Sequence, residues 1–300
     1  MAVIEVEGLT KRFGEVEAVA GLSFQLGEGT VTGFLGPNGA GKTTTLRMIL
    51  GLVVPTSGRA TVLGRPYREL SRPVTRVGAV LEASGFHPGR RAVDHLRVHA
   101  TAAGLPAARV GEVLEVVGLS GSARRRVKGF SLGMRQRLSL AVALLGDPRI
   151  LVLDEPANGL DPEGIHWLRR LLRRRADEGG TVLVSSHVLT EVAQTVDDVL
   201  IISRGRLVAH GPLAEVTGRA LPAVRVRTPE PQALRQALAA RGVTAEVRGP
   251  DVVVAVETDS ETITLTAAGR GIVIYEMADE RASLEEAFLA LTATNAGGAR

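Results

Sequence analysis

Cysteine is absent from all 300 residues. That excludes disulfide frameworks, cysteine-ligated zinc, iron–sulfur clusters and thiol nucleophiles, and it fits a reducing compartment. Lysine is almost absent too: only Lys11, Lys42 and Lys128 occur, so 33 of the 36 basic side chains are arginine. Set against 32 acidic residues, the net charge is only +4, too small to point to nucleic acid, and no nucleic-acid partner is expected. Aromatic residues make up 3%. No apolar run approaches the roughly 18 to 20 residues of a membrane helix, and the stretch from Met1 to Glu7 lacks the basic and apolar regions of a signal peptide. The expectation is a cytoplasmic protein without a membrane span. What remains is ordinary globular material: 45% hydrophobic and 23% charged residues, with 35 Gly and 14 Pro too scattered for a fibrous or disordered chain. At roughly 150 residues per domain, the length suggests two domains.

Along the chain, short strands are expected at Val3–Leu9, Val16–Leu26 and Thr30–Leu35, then a helix from Gly41 to Leu50. A strand at Val77–Leu81 leads into an alanine-rich, mostly helical region up to Leu119. Leu138, Ala141, Val142 and Leu145 recur at i, i+3, i+4 and i+7 and mark a helix from Met134. Ile150–Asp154 (strand), Pro162–Asp177 (helix), Thr181–Ser185 (strand), Val188–Val196 (helix) and strands at Val199–Ser203 and Arg206–Ala209 follow. Uninterrupted apolar strands alternating with helices imply a mostly parallel sheet covered on both faces. The punctuation by Gly211, Pro212, Gly218 and Pro222 places a boundary there, giving domains 1–217 and 218–300. Beyond it the order is strand (Ala223–Arg227), helix (Pro231–Arg241), strands (Ala245–Arg248 and Val252–Val256), helix (Ser260–Ala268), strand (Ile272–Met277) and a last helix (Ser283–Leu291). That βαββαβ order suggests a small ferredoxin-like α+β domain.

The chemistry is carried first by Gly36-Pro37-Asn38-Gly39-Ala40-Gly41-Lys42-Thr43, which fits G-x-x-x-x-G-K-[ST] between a strand and a helix. The glycines let the backbone curl so that N–H groups face the β- and γ-phosphates of a nucleotide. Lys42 adds a point charge, and the Thr43 hydroxyl is placed to ligate Mg²⁺. No lysine follows an asparagine, so the guanine-reading Asn-Lys-x-Asp signature is missing and GTPases are disfavoured. Ile150–Asp154 followed by Glu155 reads as a Walker B strand, with Asp154 in the Mg²⁺ shell and Glu155 facing the attacking water as general base.

Phe130-Ser131-Leu132-Gly133-Met134-Arg135-Gln136-Arg137-Leu138, just upstream, resembles the signature motif of ATP-binding-cassette ATPases. Asn158-Gly159-Leu160-Asp161 stands where that family has its D-loop, His187 where it has its switch histidine, and Phe13 where an aromatic stacks on adenine. The resemblance covers residues 3 to 217 and is nearest to bacterial drug- and antibiotic-export cassettes of the daunorubicin-resistance type, which carry a short C-terminal extension. It implies a P-loop cassette with a mostly parallel core sheet, an antiparallel β subdomain and a helical subdomain, binding ATP through the loop, Thr44, Phe13, Ser131, Gly133, Met134 and Asp161. It also implies that Ser131 and Gly133, at a helix N-terminus, meet the γ-phosphate held by a second copy. The active unit would then be a homodimer, or a heterodimer of related subunits, working under a separate transmembrane permease on the inner face of the cell membrane.

Three residues depart from the family pattern. Leu132 and Met134 replace the commoner Gly and Gln of the signature, and Glu82 stands where Gln is usual; an oxygen of either side chain can reach Mg²⁺ or the attacking water, so Glu82 remains a candidate catalytic and metal-binding residue, with an added charge. Arg169, Arg170, Arg173, Arg174 and Arg175 read as a solvated helix face opposite Ile165, Leu168 and Leu172, with an anionic lipid or partner contact as the alternative. The run Arg124, Arg125, Arg126 and Lys128 reads the same way, with the same alternative. His95 and His99 are spaced i, i+4 without a third ligand, which argues against a metal site. Two other functions compete with a transport ATPase. A soluble cassette ATPase of DNA repair or translation would usually fuse two cassettes or insert a coiled coil. A non-hydrolysing nucleotide sensor would not need Glu155 and His187.

Overall fold

The computed structural model describes residues 2–81, 85–188, 194–218 and 223–280. The chain divides into two compact units, Met1–Gly211 and Pro212–Arg300. The break comes a few residues before the expected boundary, because the short helix Leu213–Gly218 belongs with the second unit.

The first unit contains two sheets. β1 (Ile4–Phe13), β2 (Val16–Leu26) and β4 (Ser57–Val62) form an antiparallel sheet in the order β2-β1-β4. The larger sheet runs β5-β6-β7-β3-β8-β9. Its strands are β3 (Val31–Leu35), β5 (Val77–Val80), β6 (Ile150–Asp154), β7 (Thr181–Ser186), β8 (Asp198–Ser203) and β9 (Arg206–Pro212). Its β5-β6, β6-β7, β7-β3 and β3-β8 pairs are parallel. Every residue of β3, β6 and β7 is buried, as continuous apolar strands under helices on both faces require. β8 turns into β9 through Arg204 and Gly205, both at positive φ, the backbone of a tight hairpin.

α1 (Lys42–Ile49) follows β3 directly. α2 (Ala92–Ala102), α3 (Ala108–Val116) and α4 (Leu132–Leu144) lie between β5 and β6 and pack on one another, and α5 (Pro162–Asp177) links β6 to β7. Phe34, Ile4, Leu9, Leu22, Leu46 and Ile49 are among the fully buried side chains of one core that joins the two sheets across α1.

The second unit begins with α6 (Leu213–Gly218) and continues with β10 (Ala223–Arg227), α7 (Pro231–Ala239), β11 (Ala245–Val247), β12 (Val252–Val256), α8 (Ser260–Ala268) and β13 (Glu276–Glu280). Its sheet is antiparallel, in the order β11-β12-β10-β13, which is the ferredoxin-like arrangement. Val224, Val226, Val253 and Ala255 face Leu234, Leu238 and Ile263 of the two helices.

Three elements differ from the sequence reading. β1 runs on past Leu9 to Phe13, through register shifts after Val6, Leu9 and Lys11 that the apolar pattern does not reveal. β4 was not expected at all: Ser57-Gly58-Arg59-Ala60 has little strand propensity, and its pairing with β1 (Ile4 opposite Val62, Glu7 opposite Arg59) creates it. The last strand lies at Glu276–Glu280 rather than Ile272–Met277, because Ile272 and Ile274 pack into the core ahead of the ladder that Glu276 opens opposite Arg227. Most of the helix expected at Val188–Val196, and all of that at Ser283–Leu291, fall outside the described residues.

Candidate nucleotide site

In a parallel sheet all strands end at the same edge, so the residues that follow β3, β6 and β7 converge there although they are far apart in sequence. Leu35 is in register with Ser186, and Asp154 with Ser185.

After β3 the loop Gly36–Gly41 curls back before α1. Pro37, Asn38 and Gly39 are exposed at its tip, while Gly36 and Ala40 are buried. Gly41 sits at φ +102°, and a Cβ there would press into the carbonyl oxygen of Ala18 on β2. A Cβ on Gly36 would come within 2.5 Å of Ile202 O. Backbone from β2 and β8 thus encloses the loop so tightly that only glycine fits at these two positions. Phe13 pairs with Val16 at the end of the same β1-β2 hairpin that brings Ala18 to Gly41. Its ring is half exposed, with Lys11 Nζ 5.0 Å from the centroid. One face of the ring therefore carries a cation, and much of its surface stays accessible.

Lys42, buried at 6% exposure, folds its ammonium into the loop and donates to Gly36 O (2.6 Å) and Pro37 O (3.3 Å). Thr43 Oγ1 donates to Asp154 Oδ2 at 2.6 Å, a contact between residues 111 positions apart. The other Asp154 oxygen accepts from Ser185 Oγ. Glu155 has φ +48°, a conformation that costs a non-glycine residue about 1 to 2 kcal/mol. Its N–H donates to the same Ser185 hydroxyl (3.0 Å), which holds the kink in place. The kink sends the carboxylate between two groups: Oε1 is 3.7 Å from Lys42 Nζ, and Oε2 is 2.8 Å from His187 Nδ1. Thr44 follows in the first turn of α1.

Lys42, Thr43, Asp154, Glu155 and His187 are therefore one cluster. Ser185 belongs to it as well and was missed by sequence reasoning, although the run Ser185-Ser186-His187 at a strand end was the available signal. Glu82 lies outside the described residues.

The signature residues are placed elsewhere. Ser131 caps α4, its Oγ accepting from Met134 N at 3.2 Å. A Cβ on Gly133 would lie 3.0 Å from Gly159 O, and Leu132 packs directly on Gly159. Asp161 caps α5 by accepting from Gly164 N at 2.8 Å. The signature and D-loop segments are thus packed against each other. A cavity of about 710 Å³ connects them with the sheet edge that carries this cluster: Leu132, Arg135 and Gln136 of α4 line it together with Asp154, Glu155 and Asn158.

Residues 19–158, which include the phosphate loop and Asp154–Glu155, match the family model described as ABC transporter. The bacitracin transport ATP-binding protein BcrA of Bacillus licheniformis is 42% identical over 220 residues, covering 72% of this chain and 72% of that protein. The chain belongs to the ATP-binding-cassette ATPases. Similarity extends beyond the cassette: the Nod factor export ATP-binding protein I of Burkholderia orbicola (strain AU 1054) is 36% identical over 299 residues, 97% of each chain. Residues 222–285 match a second model, described as a domain of unknown function (DUF8746). Among solved structures, an ATP-binding subunit of an ABC transporter superposes with TM-score 0.66 at 28% identity, covering 72% of this chain and 92% of that one. A cassette described as a dimer in a post-hydrolysis state bound to ADP and Pi gives TM-score 0.64 at 22% identity over 70% and 98%, a likeness of fold. The family hydrolyses ATP, and the cluster around Lys42 and Glu155 has the parts for that reaction.

Two features of the cassette read differently in space than along the chain. Arg173 of α5 pairs with Asp177 and Asp197, and Arg175 with Asp147, so the arginine face of that helix is partly an ion-pair seam. His95 and His99 stack edge to face at 4.7 Å, with Phe86 5.0 Å from His95. Among the described residues no group of three His, Cys, Asp or Glu side chains is placed to hold a metal, and none of the helices is long and apolar enough to cross a membrane.

Proposed function

We propose that the chain is the ATP-hydrolysing subunit of an exporter, in which two copies clamp two ATP molecules with Mg²⁺ and drive a separate membrane permease that moves antibiotic-like or other hydrophobic cargo. The bacitracin and Nod factor relatives support the cargo class. The single observation that carries the hydrolytic reading is the Glu155 carboxylate held between Lys42 and His187 beside the Thr43–Asp154 pair.

In this reading Glu155 accepts a proton from the attacking water, and His187, bonded to Oε2, holds the carboxylate in position. Lys42 leaves the carbonyls of its own loop for the phosphates of ATP. The Thr43 hydroxyl and the Asp154 carboxylate hold Mg²⁺; both are hard oxygen donors, which suits that ion, and Ser185 fixes the rotamer of Asp154. When bound, Mg²⁺ neutralises charge on the β- and γ-phosphates. Phe13 stacks on the adenine. Ser131, Gly133 and Met134, at the positive end of the 13-residue helix α4, receive the γ-phosphate of the second copy, with Asp161 completing the shared site. The first unit forms the catalytic cassette, and the second an accessory domain that tunes dimer stability or partner contact. The assembly sits on the inner face of the cell membrane through its permease.

Glu155→Gln tests the assignment. Turnover is expected to fall by about 10²- to 10⁴-fold while ATP binding persists. A dimer should accumulate with ATP on size exclusion, since the amide removes a negative charge from beside the γ-phosphate. Wild-type turnover in this variant would remove Glu155 from the role of base.

A further inference from the structure

Two basic segments that are distant in sequence are stitched together at the start of α2. Arg91 bridges Arg126, Ala92 N donates to Arg125 O (3.2 Å), Val127 N to Arg90 O (2.9 Å) and Lys128 N to Pro88 O (3.0 Å). This gathers Arg90, Arg91, Arg124, Arg125 and Arg126 into one patch, all exposed except the half-buried Arg90, with the exposed Lys128 at its margin, where it also lines the cavity that holds Asp154 and Glu155. Some arginines elsewhere pair with carboxylates, Arg59 with Glu7, Arg173 with Asp197 and Arg227 with Asp251. Among the described residues, no carboxylate forms an ion pair with any of the six. Six neighbouring basic side chains without an ion-pair partner among the described residues concentrate positive charge locally on a chain whose net charge is only +4.

We infer that this patch is a docking surface for the phosphate headgroups of an anionic phospholipid bilayer. The large apolar residues of the second segment, Val127 and Phe130, are buried, and Arg125 folds over the Phe130 ring at 5.9 Å. The basic segments themselves therefore offer charge without an exposed apolar anchor of the kind that dominates protein–protein interfaces, and without exposed aromatic rings on which nucleic-acid bases could stack; the exposed Leu132 beyond them belongs to the signature segment packed on Gly159. Guanidinium groups pair readily with phosphate oxygens, and clusters of four to eight cations hold proteins to acidic leaflets. The backbone hydrogen bonds between the segments fix the spacing of the charges in advance, so little ordering is needed on contact. The inference does not depend on the transport reading, because the isolated chain carries the patch.

The test is co-sedimentation of the full chain with vesicles of phosphatidylglycerol and phosphatidylcholine, compared with phosphatidylcholine alone. Wild type should bind only the acidic vesicles, and progressively less as salt is raised. Arg124→Gln with Arg126→Gln should weaken that binding by about tenfold or more. The control, Arg170→Gln with Arg174→Gln, removes the same charge from exposed positions on α5 and should change it less than about threefold, and ATPase activity of both pairs reports that they fold. Equal loss in both pairs, or equal binding of wild type to neutral vesicles, would overturn the inference. Retention on a polyglutamate matrix without binding to acidic vesicles would overturn it in favour of an acidic polypeptide.

Discussion

His95 is 5% exposed on α2, and its Nδ1 has no hydrogen-bond partner. Burial, then the neighbouring His99 and Arg90, push its pKa down from 6.5 to about 4. The unfolded chain therefore binds a proton between about pH 6.5 and 4 that the folded chain refuses, so this residue makes stability fall as pH drops through that window. His95→Phe removes the titration while keeping a ring beside Phe86. Its stability relative to wild type should rise by about 1 kcal/mol between pH 7.5 and pH 5.5, read from urea melts at the two values. A pH-independent difference would show that His95 does not titrate differently in the two states. At the nucleotide site the decisive residue-scale feature is the positive φ of Glu155. A local strain of this size persists only where surrounding contacts hold it, and here the Ser185 hydroxyl and the two side-chain partners of Glu155 do so.

Among the elements, α4 and α5 are joined by a cation–ring pair. The Arg137 guanidinium of α4 lies 4.4 Å from the Trp167 ring centroid on α5. Each side chain also bonds the C-terminal end of α3, Arg137 Nη1 to Val117 O (3.1 Å) and Trp167 Nε1 to Val116 O (3.2 Å). Since α4 begins at the signature serine and α5 at the capping Asp161, this pair fixes the two helix N-termini relative to each other, and under the proposed function it would set how they meet a second copy. Arg137→Ala, Trp167→Phe and the double variant should show a coupling of about 1 kcal/mol in a stability cycle. ATP-driven dimerisation should weaken in both single variants while nucleotide affinity of the monomer stays the same, because the phosphate loop is untouched. Trp167 is the one tryptophan of the chain, so its fluorescence in the wild type reports the movement of this joint directly.

At the scale of the whole molecule, the two compact units each enclose an apolar core of their own, and the phosphate loop, Asp154–Glu155, the signature and His187 all belong to the first. A chain ended after residue 217 should stay folded, melt cooperatively and bind ATP with affinity within about threefold of full length, roughly 0.6 kcal/mol. Scanning calorimetry and nucleotide titration decide this. A soluble, cooperatively melting truncation that has lost ATP binding would mean that the second unit contributes to the site.

Local pattern alone located much of this architecture. Ile150–Asp154 and Pro162–Asp177 have the boundaries expected from apolar runs and from an Asp-Pro helix start. The glycine-lysine loop announced its own chemistry, because a phosphate cradle is built from consecutive residues. β4 and the position of β13 were not legible, since those strands are defined by the partners they pair with and not by their own propensities. Nor was the cluster itself. The contact of Thr43 with Asp154, and of Glu155 with His187, exists because β6 and β7 insert beside β3 in a parallel sheet, which brings three strand ends to one edge. Residue types and their local spacing determined which chemistry this chain can perform. Only tertiary packing, through strand order and the enclosed backbone around Gly36 and Gly41, decided which side chains meet to perform it.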